Sequence, residues 1–242
     1  MKEIAMYVRL SVALAALLTV PSTAAPQASL RVEPLRVAVS APSQASAITL
    51  QNTSADKIGV QMRVFEWSQT NGTDTLKPTT DVVVSPPATT IPSGASYTVR
   101  IARTAGAVAS GEKSYRLWVD ELPAAGREGP AARTVDIRIR YDLPVFFGAA
   151  NASPKLSWKA YRSGGRLIVE ATNTGTGHAR VEALSVGNVS FGSGLNGYVL
   201  PGTMRRWTSG ANASLPPANA NLTLVAEVGD REVRTPIAVA SN

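Results

Sequence analysis

Period-two alternation of apolar and polar residues recurs along this chain from residue 25 onward, and helical spacing occurs almost nowhere. Such a pattern buries one face only as strands, because successive side chains of a strand point to opposite sides. The cleanest run is 58–67 (IGVQMRVFEW), with Ile58, Val60, Met62, Val64 and Glu66 on one side and Gly59, Gln61, Arg63, Phe65 and Trp67 on the other. Asn71-Gly72, a pair suited to a tight hairpin turn, follows it. Further runs at 35–39, 47–51, 82–85, 97–101, 114–122 and 134–141 are separated by Asn52-Thr53-Ser54, Pro86-Pro87 and Ile91-Pro92-Ser93-Gly94. About seven strands with a turn signal every ten or so residues is the spacing of an immunoglobulin-like sandwich.

Pro144 and Gly148-Ala149-Ala150 read as a join. Alternation resumes at 155–160, 166–171, 180–186, 198–200, 204–207, 222–228 and 232–239, with turn clusters between, which predicts a second sandwich. The expected organisation is all-β, with domains at 25–145 and 146–242. Residues 1–24 are set apart as a leader: Lys2 and Arg9 precede the apolar run LSVALAALLTV, and small residues at 22–24 favour cleavage after Ala24. That run is well short of the ~20 apolar residues of a spanning helix, so the expectation is an exported chain with no membrane span.

There is no cysteine, which excludes thiol chemistry and disulfides, so each domain must rely on core burial. Formal net charge is +7, falling to +6 without the leader, but Lys and Arg are dispersed, and nucleic acid is not an expected partner. The one histidine, His178, reads as an ordinary polar surface residue. Without Cys or a second His no metal site is expected, and no cofactor motif is present. There is no Gly-x-Ser-x-Gly elbow, and Asp120 and Glu121, adjacent in a strand, point to opposite faces. The expected role is binding, not catalysis.

Four blocks carry a resemblance: Leu35-Arg36-Val37 about sixteen residues before Asn52; Pro86-Pro87 with Ile91-Pro92-Ser93-Gly94 and Val99-Arg100-Ile101; the segment YRLWVDELP at 115–123; and IRIRYDLPVF at 137–146. With Asn173, His178-Ala179-Arg180 and GYVLPG at 197–202, their order and spacing resemble the periplasmic chaperones of pilus assembly, in the branch that serves archaic or spore-coat-U-like pili. The resemblance implies two immunoglobulin-like sandwiches set at an angle with a cleft between them, in the periplasm. Its partners would be pilus or coat subunits, handed on to an outer-membrane usher. An exported adhesin or surface-binding module is the alternative.

In that family the chaperone lends an edge strand to a subunit that lacks one, restoring main-chain hydrogen bonds while alternate side chains fill the groove. The resemblance places the donor strand at 134–141, with Val135, Ile137, Ile139 and Tyr141 on one face. On the residues alone, the same face would turn to the domain's own core. The resemblance also implies a carboxylate anchor made of Arg36 and Arg140, with Arg138 as the fallback for a register two residues off. Two cations suit a partly desolvated carboxylate. An exposed strand rich in Val and Ile is also a surface for self-association. Leu143 stands where better-known relatives carry a basic residue used in an interdomain salt bridge, so the resemblance does not supply the way the two domains lock together.

Overall fold

The computed structural model describes residues 29–123, 138–211 and 213–241, and every element among them is a strand. The N-terminal domain contains β1 (Leu30–Glu33), β2 (Val37–Ser40), β3 (Ala45–Asn52), β4 (Ile58–Thr70), β5 (Thr73–Pro78), β6 (Val82–Ser85), β7 (Ala88–Ile91), β8 (Ser96–Arg103), β9 (Glu112–Glu121) and β10 (Arg140–Gly148). One sheet runs β1-β3-β8-β6 and the other β2-β10-β9-β4-β5, with β7 also against β4. Alternate residues of both sheets meet in the core, among them Leu30, Val32, Ile48, Leu50, Val60, Met62, Ile101, Leu117, Val119 and Val145. Burying each such side chain contributes about 1.5–3 kcal/mol, which is how the domain holds without disulfides.

The expected alternation of β4 holds along its whole length, but its outer face has two fates. Gln61 and Arg63 are exposed, whereas Trp67 and Gln69, on the same side of the strand, are buried against the second domain. Asn71 and Gly72 take left-handed φ values of 54° and 81° in the turn that returns the chain into β5.

Two expectations for this domain need correction. The chain already forms β1 before residue 35, and Arg36 lies outside any strand. Pro34 cannot supply a ladder N–H, and at Pro34-Leu35-Arg36 the chain steps from the first sheet to the second, leaving Leu35 and Arg36 exposed. Of the last strand expected at 134–141, residues 134–137 lie outside the described residues; among the described ones the strand is Arg140–Gly148, paired with β9 throughout and running three residues past the expected domain boundary. Leu143, Val145 and Phe147 fill the first core while Phe146 is buried on the other face. A run apolar on both sides looked like a join in the sequence because the surface covering its second face lies in the other domain.

The C-terminal domain contains β11 (Leu156–Ser163), β12 (Arg166–Asn173), β13 (Ala179–Val186), β14 (Val189–Ser190), β15 (Leu195–Val199), β16 (Met204–Thr208), β17 (Asn221–Val228) and β18 (Arg231–Ser241). The strand order is β14-β13-β17-β18-β11-β12-β16, with β15 also on β13. The long β18 pairs with β17 as far as Ala238 and then runs parallel to β11 from Val239, carrying the chain from one layer to the other. Leu167, Val169, Val181, Leu184, Leu224, Ala226 and Val239 lie at the centre of the core.

Each domain is tied by one fully buried asparagine. Asn52 donates from Nδ2 to the carbonyls of Asp56 (2.7 Å), Ile91 (3.0 Å) and Pro92 (3.1 Å), and Oδ1 accepts from the Ser54 N–H (2.9 Å). Asn173 donates to the carbonyls of Gly177 (2.8 Å) and Val199 (3.0 Å) and accepts from the N–H groups of Lys155 (3.0 Å) and Gly175 (2.9 Å). An ideal Cβ on Gly175 would lie 2.4 Å from Lys155 N, so this loop closes only around glycine.

Candidate functional site: an arginine-lined cleft

The β4–β5 hairpin, Glu112 at the start of β9 and Phe146 near the end of β10 meet β15, β16 and His178, just ahead of β13, in a seam between the domains. Gln69 is its polar hub. Its Nε2 donates to the Tyr198 carbonyl (2.9 Å) and to Asp74 (2.8 Å), and its Oε1 accepts from the Leu200 N–H (3.0 Å) and the Thr203 hydroxyl (2.9 Å). Trp67, Phe146, Tyr198 and Leu200 form a small apolar cluster beside it, and the Trp67 indole N–H donates to Asp74 at 3.0 Å.

His178, expected at the surface, belongs to this seam. Its ring stacks on Phe146 with 3.5 Å between centroids, and Nδ1 lies 2.8 Å and 2.9 Å from the carboxylate oxygens of Glu112, across the domain boundary. The Glu112–His178 pair and Gln69 together form the lock for which Leu143 supplied no basic residue. Neither had a local signal in the sequence, since both depend on a neighbour from the other domain.

Beside the seam the two domains leave a cleft of about 750 Å³. Arg36, Arg116 and Arg140 line it from the first domain and Arg180 and Arg205 from the second; its acidic residues are Asp74 and Asp142. Leu35 and Leu195, 60 % and 55 % exposed, stand at its two sides. The structure therefore brings Arg36 and Arg140 into one cleft, and adds three arginines that sequence reasoning missed. Arg205 lies over Gly197, where an ideal Cβ would come within 2.8 Å of the guanidinium; the φ of +120° there is also one that glycine tolerates.

The arginines differ in how they are balanced. Arg36 is exposed, with no ion pair or side-chain hydrogen bond among the described residues. Arg140 is bound to Asp120, which also takes Arg63 at 2.7 Å, and its guanidinium lies 4.2 Å from the Trp118 ring centroid. Burial pushes the Asp120 carboxyl up, but the hydrogen bonds and charges of Arg140 and Arg63 outweigh it and hold it below its ordinary 3.8. Arg116 lies 3.8 Å over Trp67 and 3.7 Å from Asp142; burial lowers its pKa, opposed by the charge of Asp142. Arg138, the fallback anchor, does not line the cleft; it lines a separate hollow with Gln61, Arg63 and Arg140.

Of the expected donor face, Val135 and Ile137 lie outside the described residues. Ile139 is half-buried, and its carbonyl accepts from the Glu121 N–H at 3.0 Å, just ahead of β10. Tyr141 packs on its own domain's core and its hydroxyl donates to the Leu30 carbonyl at 2.5 Å, as the bare sequence reading of that face has it. The edge of β10 remains open: β2 pairs only with Val145–Gly148, so from Arg140 to Pro144 no described strand covers the side away from β9.

Two immunoglobulin-like sandwiches joined at an angle around a basic cleft define the class of two-domain pilus-assembly chaperones. The pattern of the family Pili and flagellar-assembly chaperone, PapD N-terminal domain, matches residues 29–151, and the chain belongs to that family. Among solved structures it is similar to a chain of the CsuC–CsuE chaperone–tip adhesion subunit pre-assembly complex from archaic chaperone-usher Csu pili of Acinetobacter baumannii. The identity there is 26 %, over 89 % of this chain and 100 % of that one, with a TM-score of 0.65. A chain of the Salmonella enterica SafA pilin–SafB chaperone complex is similar at 17 % identity, over 89 % and 97 % of the two chains (TM-score 0.62). The E. coli chaperone DraB is similar at 20 %, over 86 % and 98 % (TM-score 0.58). At those lower identities the likeness is one of fold. No curated protein matches the chain in sequence. The family's work is assembly, a non-enzymatic role.

Proposed function

We propose that this protein binds incomplete β-sandwich subunits of an archaic-type pilus or coat in the periplasm, completes them with its own edge strand and passes them to an outer-membrane usher. The observation that carries the reading is the open edge of β10 from Arg140 to Pro144, which leads directly into the arginine-lined cleft. A partner strand laid along that edge parallel to β10 would take the position that β2 occupies further on, and would have to end where β2 begins, at Arg36. A free C-terminal carboxylate there meets an excess of positive charge. Arg36, with no partner of its own, is the first cation of the anchor; Arg140, at the other end of the open edge, is the second expected from the family. The donor residues expected from the family are Val135, Ile137, Ile139 and Tyr141. Export would follow from cleavage of the leader near Ala24, and an uncovered edge strand favours self-association of the free protein.

The test is co-expression with candidate subunits and purification through a tag on this chain. The expected result is a stoichiometric complex that Arg36→Ala weakens by about 2 kcal/mol, the lower end for a charge partner because Arg36 is exposed, or roughly thirtyfold in Kd. Recovery of this protein alone, with every subunit still insoluble, would sink the proposal.

A further inference from the structure

We infer that Asn71 is a site of spontaneous covalent modification: its carboxamide closes on the Gly72 nitrogen, and the isoaspartate that results loosens the joint between the domains. Asn-Gly occurs at 71–72 and again at 196–197. In both pairs the second residue has no side chain to obstruct attack on the carboxamide before it. The fold treats the two pairs oppositely. Asn196 is held at both ends of its side chain, Oδ1 accepting from the Leu184 N–H at 3.0 Å and Nδ2 donating to the Phe191 carbonyl at 2.8 Å. Its main-chain carbonyl accepts from the Trp207 indole N–H at 2.8 Å, and Gly197 lies in β15 paired with Val181. Asn71 is exposed at the tip of the β4–β5 hairpin, and its carboxamide has no hydrogen bond among the described residues.

The ladder of that hairpin ends at the Thr70–Thr73 pair, so a single opening at the tip frees Asn71 from its left-handed φ of 54°. The Gly72 nitrogen gives its proton to hydroxide and bonds to Cγ of Asn71, while the Cγ–Nδ2 bond breaks and ammonia leaves. Water then opens the five-membered imide. Opening at Cγ yields aspartate; opening at the main-chain carbonyl yields isoaspartate, whose backbone runs through Cβ and Cγ and is one atom longer. That extra atom falls between Gln69 and Asp74, which meet at 2.8 Å below the turn. Gln69 holds Tyr198, Leu200 and Thr203 of the second domain, and Asp74 holds Arg205 at 3.5 Å. Gly72 itself lies on β16, where an ideal Cβ would be 3.5 Å from Met204 Sδ and 3.6 Å from the Arg206 nitrogen. A lengthened turn has to displace either the Gln69–Asp74 pair or the contact with β16.

The experiment ages the full chain in mild alkali and follows both sites by peptide mass mapping, with isoaspartate read by enzymatic methylation. Asn71 is expected to convert first, with Asn196 roughly thirtyfold slower, the factor that two retained side-chain hydrogen bonds supply. Denaturant is expected to erase most of that difference. Equal rates in the folded protein, or a difference that persists undiminished in denaturant, would overturn the assignment of the site to the fold. Asn71→Gly lacks the carboxamide and keeps a residue that suits the turn. Aged wild type is expected to unfold at a lower temperature than fresh protein, and Asn71→Gly to age without change. The same loss in aged Asn71→Gly, or no loss in a wild type fully converted at Asn71, would overturn the effect on the joint.

Discussion

Replacing Gln69 by alanine should loosen the joint between the domains while leaving each domain's core untouched. The side chain is 7 % exposed and closes four hydrogen bonds. Two of its partners keep an alternative: the Thr203 hydroxyl also donates to the Leu200 carbonyl at 2.9 Å, and Asp74 retains the Trp67 indole at 3.0 Å. The other two, the Leu200 N–H and the Tyr198 carbonyl, lose a partner inside the seam, at about 1–3 kcal/mol each. Water entering a loosened joint recovers part of this, so a loss of about 3 kcal/mol is expected, roughly 6–12 °C in the melting temperature of a chain this size. The assay is thermal unfolding followed by Trp fluorescence, with Gln61→Ala, on the exposed part of the same strand face, as control at under about 0.5 kcal/mol. Loosening of the joint should appear as two separated transitions. A single transition at the wild-type temperature in Gln69→Ala would refute the assignment of Gln69 as the interdomain hub.

The two buried asparagines predict selective damage: Asn52→Ala should destabilise the N-terminal domain and Asn173→Ala the C-terminal one, each by about 3 kcal/mol, since several donors and acceptors are stranded at once; equal losses in both domains from either change would contradict the separation. Acid should act on Asp120. Its pKa is depressed in the folded state, so its contribution to stability is complete above the ordinary carboxylate value near 3.8 and disappears as pH falls through the lower folded value. The Asp120→Asn variant should therefore show a shallower loss of stability below about pH 4, measured by denaturant unfolding across the acid range; parallel curves for variant and wild type would argue against this account of Asp120.

The strand content, the two-domain division and the faces of β4 were legible from sequence, because strand alternation is a local property and Asn71-Gly72 marks its turn without reference to anything distant. Arg36 and Arg140 could be named only through the resemblance to the family; both line the one cleft. What the chain alone could not disclose are features made of two surfaces. The burial of Trp67 and Gln69 on a nominally exposed face, the continuation of β10 through Pro144 to Gly148, the pairing of His178 with Glu112, and the gathering of Arg116, Arg180 and Arg205 all require the second domain to dock. A side chain's periodicity records which way it points, but whether that direction leads to water or to another domain is decided only when the sandwiches meet.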